Sequence, residues 1–415
     1  MNPEKIAARL CRADFPFRED FVAPERGDVG TACGSDSGVR KEYNMKFKDG
    51  KFRILILADI HAAEPELEWT LKHIQGAIDK SHPDLIVLLG DNVTGKFPGI
   101  TVGKVRAAIY KIGSTLQRNN VPFTLVFGNH DHEGLGLFGY DETSAKNFIM
   151  DEFKKFSCCI AQKGEEMTGV GNYNIPVLSS DGKVKLNLWF ADSNPYAEKS
   201  EGGGYGYVHA DQLEWYEKTA AKLKEENDGE TVPSFVFQHI IVPECYDMFH
   251  VHNRWAKGRV KGHGRFSENY YTVNSEYVYS GNLREGPCPP DVKSRQFDSW
   301  FKTGDIIGAF FGHDHINDFS GVYKGIPLHQ VPSTGFYSYG YTQGTRVVTV
   351  SEEDVKNYST EIMNYIDVCD VKIKNPFIRK HGYYEWIKRW KPRLGVIGAV
   401  TASSFIACAV IKKIR

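Results

Sequence analysis

Five short polar clusters, each following an apolar run, constrain this chain more than any other feature. They are Asp59-Ile60-His61, Gly90-Asp91-Asn92, Gly128-Asn129-His130-Asp131, Gln238-His239 and Gly312-His313-Asp314-His315. The runs that lead into them, residues 52–58, 85–89, 121–127, 234–238 and 306–311, are short and rich in Val, Ile, Leu and Phe, and read as buried strands. Further strands are expected at 186–191 and 346–350, and helical spacing occupies 66–81 and 102–118. Strands alternating with helices predict an α/β fold with a largely parallel sheet. In such sheets ligands collect outside the carboxyl ends of the strands. Five segments are therefore expected to deliver Asp, Asn and His to one edge of one sheet.

Those residue types suit a pair of divalent cations, with Mn, Fe or Zn compatible with imidazole and carboxylate donors. Two such cations about 3.5–4 Å apart can activate a water and stabilise a leaving oxygen. A shared ligand must offer more than one lone pair, which a neutral imidazole nitrogen does not, so Asp91 is the natural bridge. Gly90, Gly128 and Gly312 leave room for tight turns and for close approach of a phosphate. The other histidines, among them His73, His82, His132, His250, His252, His263 and His329, carry no motif and read as core, loop or surface residues.

The ordered set DxH, GDN, GNHD, a separate His and GHDH resembles the calcineurin-like metallophosphoesterase superfamily. His239-Ile-Ile-Val-Pro243-Glu244, the stretch from Gly312 to Asp318, Gly206-Tyr207 and Gln212-Leu-Glu-Trp215 look like its purple-acid-phosphatase-related branch in fungi and plants. The resemblance implies an α/β/β/α sandwich. It implies a first metal on Asp59, His61, Asp91 and His315, and a second on Asp91, Asn129, His239 and His313. It also implies His130 beside the substrate phosphate, Asp131 as its orienting partner, and a metal-bridging hydroxide as nucleophile. True purple acid phosphatases carry a metal-ligating tyrosine three residues after the bridging aspartate. Thr94 stands there in this chain, and His61 supplies the replacement ligand, so no coloured iron–tyrosinate centre is expected. The expected activity is hydrolysis of a phosphomonoester on a small molecule or protein. A phosphodiesterase and an inactive membrane-tethered binding protein are the alternatives.

The remaining segments set the expected boundaries. Residues 1–50 read as an extension, with a Gly/Ser/Asp-rich tract at 27–38, and 51–350 as the catalytic domain. Within it, 245–283 reads as a solvated insertion loop, or alternatively as a cap that selects anionic substrates. Residues 351–393 read as a linker. Residues 394–411 are uncharged and flanked by Lys and Arg, with Tyr383, Tyr384, Trp386 and Trp390 upstream, and are expected to form a single C-terminal membrane anchor. Residues 1–11 contain Glu4, Lys5 and Arg9 and no apolar run, so no secretory leader is expected there. The catalytic domain is then expected on the cytosolic side of the endoplasmic reticulum or mitochondrial outer membrane. Eight scattered cysteines without a CxxC pair argue against a cysteine zinc site, and a net charge of −1 gives no reason to expect a nucleic-acid partner.

Overall fold

A run such as Leu85–Leu89, apolar at every position, can be satisfied only where both faces are covered. The computed structural model describes residues 43–63, 66–93, 95, 99–340 and 343–369, and there the covering is done by a second sheet on one side and helices on the other. The first sheet holds β1 (Lys51–Leu57), β2 (Leu85–Leu89), β3 (Phe123–Val126), β14 (Gly344–Ser351) and β15 (Ser359–Asn364), in the order β15-β14-β1-β2-β3. Strands β1, β2 and β3 are parallel, and β14 and β15 close that edge antiparallel. Helices α1 (Leu67–Ser81), α2 (Val102–Arg118), α3 (Glu133–Gly136) and α4 (Glu142–Phe153) lie along this half of the chain, and α1, α2 and α4 bury apolar stripes in the same core. The α2 and α4 starts are capped by Thr101 and Asp141, whose side chains accept from Lys104 N and Ser144 N.

The second sheet runs β10-β12-β13-β11-β6-β5-β4. Its members are β4 (Tyr173–Leu178), β5 (Val184–Phe190), β6 (Ser234–Gln238), β10 (Val278–Ser280), β11 (Ile306–Phe311), β12 (Ser320–Tyr323) and β13 (Ile326–Gln330). Strands β5, β6, β11 and β13 are parallel neighbours, and the outer strands are antiparallel. Helices α5 (Ala210–Glu226) and α6 (Gln296–Thr303) cover a second core built on Trp189, Tyr216, Phe297, Trp300 and Phe311.

An aromatic ladder stiffens the second sheet one register step below the polar clusters. Tyr173, Phe190, Phe237, Phe310 and His329, from five successive strands, stack with ring centroids 4.9, 5.2, 5.3 and 4.7 Å apart and interplanar angles of 10–20°. Each contact contributes about 0.5–1.5 kcal/mol beyond burial. Gln238-His239 and Gly312-His313 leave the sheet directly above Phe237 and Phe310, so the ladder sets where their backbones emerge.

Several expectations need correction. The clusters do not gather at one edge of one sheet: three follow β1, β2 and β3 in the first sheet, and two follow β6 and β11 in the second. Both sheets are mixed, because antiparallel strands sit at their outer positions. Packing also reaches beyond 51–350. Met45 and Phe47 are buried and pair with Leu178, and β15 with α7 (Tyr365–Val368) completes the first sheet and covers α1. Segment 245–283 is ordered rather than a plain loop. It forms a small sheet, β7 (Phe249–His252), β9 (Tyr270–Val273) and β8 (Val260–Lys261), and supplies β10 to the large one. Among the described residues no helix is long and apolar enough to cross a membrane, and the anchor expected at 394–411 lies outside them, as does Thr94.

Candidate metal centre

The candidate site is built from turns that leave the strands abruptly. Asp59, His61, Asp91 and His313 all have positive φ, between 43° and 72°. For residues with a Cβ this left-handed backbone costs about 1–3 kcal/mol each and persists only where surrounding contacts impose it. Those contacts are backbone hydrogen bonds between neighbouring turns: Asp59 N to Gly90 O, His61 N to Asp91 O, and Gly312 N to His239 O, at 2.9–3.1 Å. Glycines make the approach possible. A Cβ on Gly90 would lie 2.4 Å from His239 Nδ1, one on Gly128 2.2 Å from Asp91 Oδ1, and one on Gly312 2.8 Å from Asp59 Oδ2. The space they leave is taken by candidate ligand side chains, not by a phosphate as the sequence reading has it.

The polar atoms divide into those the fold satisfies and those it leaves open. Asp59 Oδ2 accepts from His313 N at 2.9 Å, and Asp91 Oδ1 accepts from His130 N at 2.8 Å. His239 Nδ1 donates to Leu89 O at 2.9 Å, which turns Nε2 inward. What remains is a set of buried atoms without a hydrogen-bond partner: Asp59 Oδ1, Asp91 Oδ2, Asn129 Oδ1, His239 Nε2 and His313 Nε2. In two places, Asp59–His61–His315 and Asp91–His239–His313, the side chains group closely enough that each could hold a metal ion. Asp91 Oδ2 lies 3.3 Å from His239 Nε2 and 3.6 Å from His61 Nε2, so it faces both groups. Asp59 Oδ1 lies 3.3 Å from His315 Nε2. Six of the expected ligand residues fall in these two groups; Asn129, with Oδ1 buried and unpartnered, follows Gly128 on the turn that packs against Asp91; and the donor set fits divalent cations. Nitrogen and carboxylate oxygen are both represented, buried, and otherwise unmatched.

Electrostatics point the same way. Burial opposes ionisation of Asp59 and Asp91, yet His239 and its neighbours hold both carboxyls below their ordinary values, Asp91 well below. Burial disfavours the His239 imidazolium, but Asp91 and Asp59 outweigh it and push its pKa up to about 10. Burial lowers His61 to about 4 and, with His239 beside it, His313 to about 3. Two buried carboxyls are thus held down by neighbouring imidazoles, His239 foremost, where a cation would serve.

Around this cluster stand residues that the sequence reading missed. The expected orienting role of Asp131 is not met. Its Oδ2 accepts from Gly128 N at 2.8 Å and its Oδ1 from Val93 N at 3.0 Å, which ties the turn after β3 to the turn after β2. The partner of His130 Nδ1 is Glu133 Oε2 at 2.9 Å. Glu133 Oε1 accepts from the Tyr196 hydroxyl at 2.8 Å, and Asn129 Nδ2 donates to that hydroxyl at 3.3 Å. Burial works against a charged His130, and the Glu133 hydrogen bond reverses this and raises its pKa. Tyr205 packs edge-on against His313 with ring centroids 4.3 Å apart, and Tyr339 stacks on His315 at 4.3 Å while its hydroxyl donates to Glu285. The His130–Glu133 pair had an i,i+3 signal in the sequence. The tyrosines, brought in from distant loops, had none.

Among known proteins, the chain is 27% identical over 343 residues to "Probable inactive purple acid phosphatase 14" of Arabidopsis thaliana, covering 74% of this chain and 76% of the relative. It is 25% identical over 293 residues to "Phosphatase DCR2" of Saccharomyces cerevisiae, covering 65% of this chain and 45% of that one. A solved dimetal phosphatase from Danio rerio aligns with 76% of this chain and 99% of its own at 12% identity and a TM-score of 0.42. The sequence profile of the calcineurin-like phosphoesterases matches residues 52–317, and the chain belongs to that family.

Proposed function

We propose that this protein hydrolyses phosphomonoesters, with one divalent cation held by Asp59, His61, Asp91 and His315 and a second by Asp91, Asn129, His239 and His313. One observation carries the reading: two groups of Asp and His drawn from both sheets, in which Asp59 Oδ1, Asp91 Oδ2, His239 Nε2 and His313 Nε2 are buried without hydrogen-bond partners. Each unmatched buried polar atom costs about 1–3 kcal/mol, and a cation pair is the ligand that would match them all. When bound, such a pair supplies an acidified water and neutralises charge on the phosphate oxygens.

The chain's own residues do the rest. His130, partly exposed beside His61 and held at Nδ1 by Glu133, presents Nε2 to the substrate and keeps a proton there for the leaving alkoxide. Tyr196 links Glu133 to Asn129, so the proton donor and a metal ligand are held in one hydrogen-bonded unit. Tyr205 and Tyr339 pack against the His313 and His315 imidazoles and help hold them in place. Three plant relatives are named as probable inactive purple acid phosphatases. That favours a second reading, a protein that binds metal and phosphate without turnover.

Elemental analysis together with turnover of p-nitrophenyl phosphate and its bis ester separates these readings. We expect two metal ions per chain and preference for the monoester. Asp91→Asn and His239→Ala should lose metal and lose activity by several orders of magnitude. Metal-loaded protein inert toward both esters would favour the binding role, and active protein with only trace metal would sink the dinuclear mechanism.

A further inference from the structure

We propose that the small sheet formed by residues 249–273 is a docking surface for an anionic phospholipid bilayer. Between Phe249 and Val273 the chain carries Arg254, Lys257, Arg259, Lys261 and Arg265 against one acid, Glu268, although the whole protein has a net charge of −1. Positive charge is therefore concentrated here, and the rest of the molecule is net acidic.

The strand register sorts the side chains by face. His252, Tyr270 and Lys261 share one row across the three strands, with His250 opposite Thr272 in the next row on that face. The other face carries Phe249, Tyr271 and Val260, and Phe249 and Tyr271 are buried against Tyr246 and Phe319. The first face is the outward one: His250, His252 and Lys261 are exposed, and the Arg259 guanidinium lies over the Tyr270 ring at 5.2 Å. The segment joining β7 to β8 adds Trp255, 76% exposed with Arg254 4.7 Å from its ring centre. An indole left in water beside cations, on a surface where Glu268 is the one acid of the segment and Asp291 accepts from Arg265 N, matches the headgroup layer of a bilayer. There the ring takes the interfacial position and the cations meet anionic lipid. A bilayer also touches only a projecting face. A nucleic acid would track further along an acidic molecule that repels it and would find one exposed tryptophan here rather than a row of stacking rings. His263, at the end of this segment, packs against Tyr205 at 5.5 Å, and Tyr205 packs against His313, so the docking sheet is continuous with the wall of the candidate metal centre.

The test is flotation of the full chain with vesicles of phosphatidylcholine alone or with about 30% phosphatidylserine, at about 0.1 M and about 0.5 M salt. Wild-type protein should favour the anionic vesicles and lose that preference at high salt. Lys257→Ala combined with Lys261→Ala should lower partition to anionic vesicles roughly 25-fold, about 5-fold per charge, while binding to neutral vesicles stays the same. Trp255→Ala should weaken binding several-fold and leave the salt dependence in place. Comparing variants with wild type in the full chain cancels any contribution from the basic residues that flank 394–411. Equal anionic partition of the double variant and wild type would overturn the proposal. So would tighter binding to polyuridylate or polyaspartate than to vesicles of equal charge. Phosphatase turnover does not enter the readout, so failure of the proposed activity would leave this result standing, and the reverse.

Discussion

Asp131 and Glu133 are two acids on one turn, and the fold gives them opposite work. Asp131 points inward and accepts two backbone N–H groups. Burial, with Asp91 nearby, raises its pKa to about 7. Glu133 comes round by one helical turn, meets His130 Nδ1 and is held by Tyr196. The family resemblance implied Asp131 as the orienting acid, but the side-chain direction of a residue in a turn follows from backbone angles that residue types alone do not reveal. Glu133→Gln should therefore keep both metals and leave KM close to wild type, while kcat falls on the order of 10–10²-fold, because His130 loses its orientation and part of its hold on the proton. Steady-state kinetics with metal analysis checks this, and restoration toward wild type by Glu133→Asp would mark a positioning role. A rise in KM at unchanged kcat would instead assign Glu133 to substrate binding.

The elements that deliver the site were the most legible part of the sequence. β2 and β11 are apolar runs and β6 has the apolar centre Phe235–Phe237, and their ends coincide with the polar clusters. Which sheet each strand joins was not legible, because a strand buried on both faces looks the same in either. Three strands, two of them at sheet edges, were missed for another reason. β4 is interrupted by Asn174 and Pro176, β13 ends in His329-Gln330, and β15 carries Ser359, Thr360 and Glu361, so none reads as a core strand. His73, which carried no motif, shows how a helix is tied to this frame. It lies buried on α1 with Nδ1 bonded to Thr334 O, between the rings of Phe336 and Tyr365. Burial lowers its pKa to about 4, against a small opposing effect of that hydrogen bond. The unfolded chain takes up this proton below about pH 6.5, and the folded chain does so only near 4. The contribution is thus fully present above pH 6.5 and is lost as pH falls toward 4, by about 2 kcal/mol at pH 5. Urea unfolding at pH 7 and pH 5 should show His73→Gln losing less stability on acidification than wild type, by about that amount. Parallel losses in the two proteins would contradict the assignment.

Taken together, the molecule is two sheets that meet at a charged seam. The candidate ligands from β1, β2 and β3 belong to one sheet, and His239, His313 and His315 to the other. Without a cation the seam holds two buried carboxylates, unmatched donor atoms and four residues in left-handed backbone. A bound cation pair would join the sheets and exists only for the folded chain, so its binding energy adds directly to stability. At a free metal concentration about 1,000 times Kd the gain is about 4 kcal/mol. For a domain of this size that corresponds to a rise in Tm on the order of 10 °C. Thermal unfolding should therefore shift down by that amount on chelation and recover on adding Mn or Zn, with the recovery graded by metal concentration. His239→Ala removes the second sheet's most buried donor, so its Tm should respond only weakly to added metal. Asp131→Asn, which changes a backbone tie and no candidate ligand, should lower Tm in both states and keep the metal-dependent difference. A Tm that ignores both chelator and added cation would show that the seam is stable as it stands and that these residues do not form a metal centre.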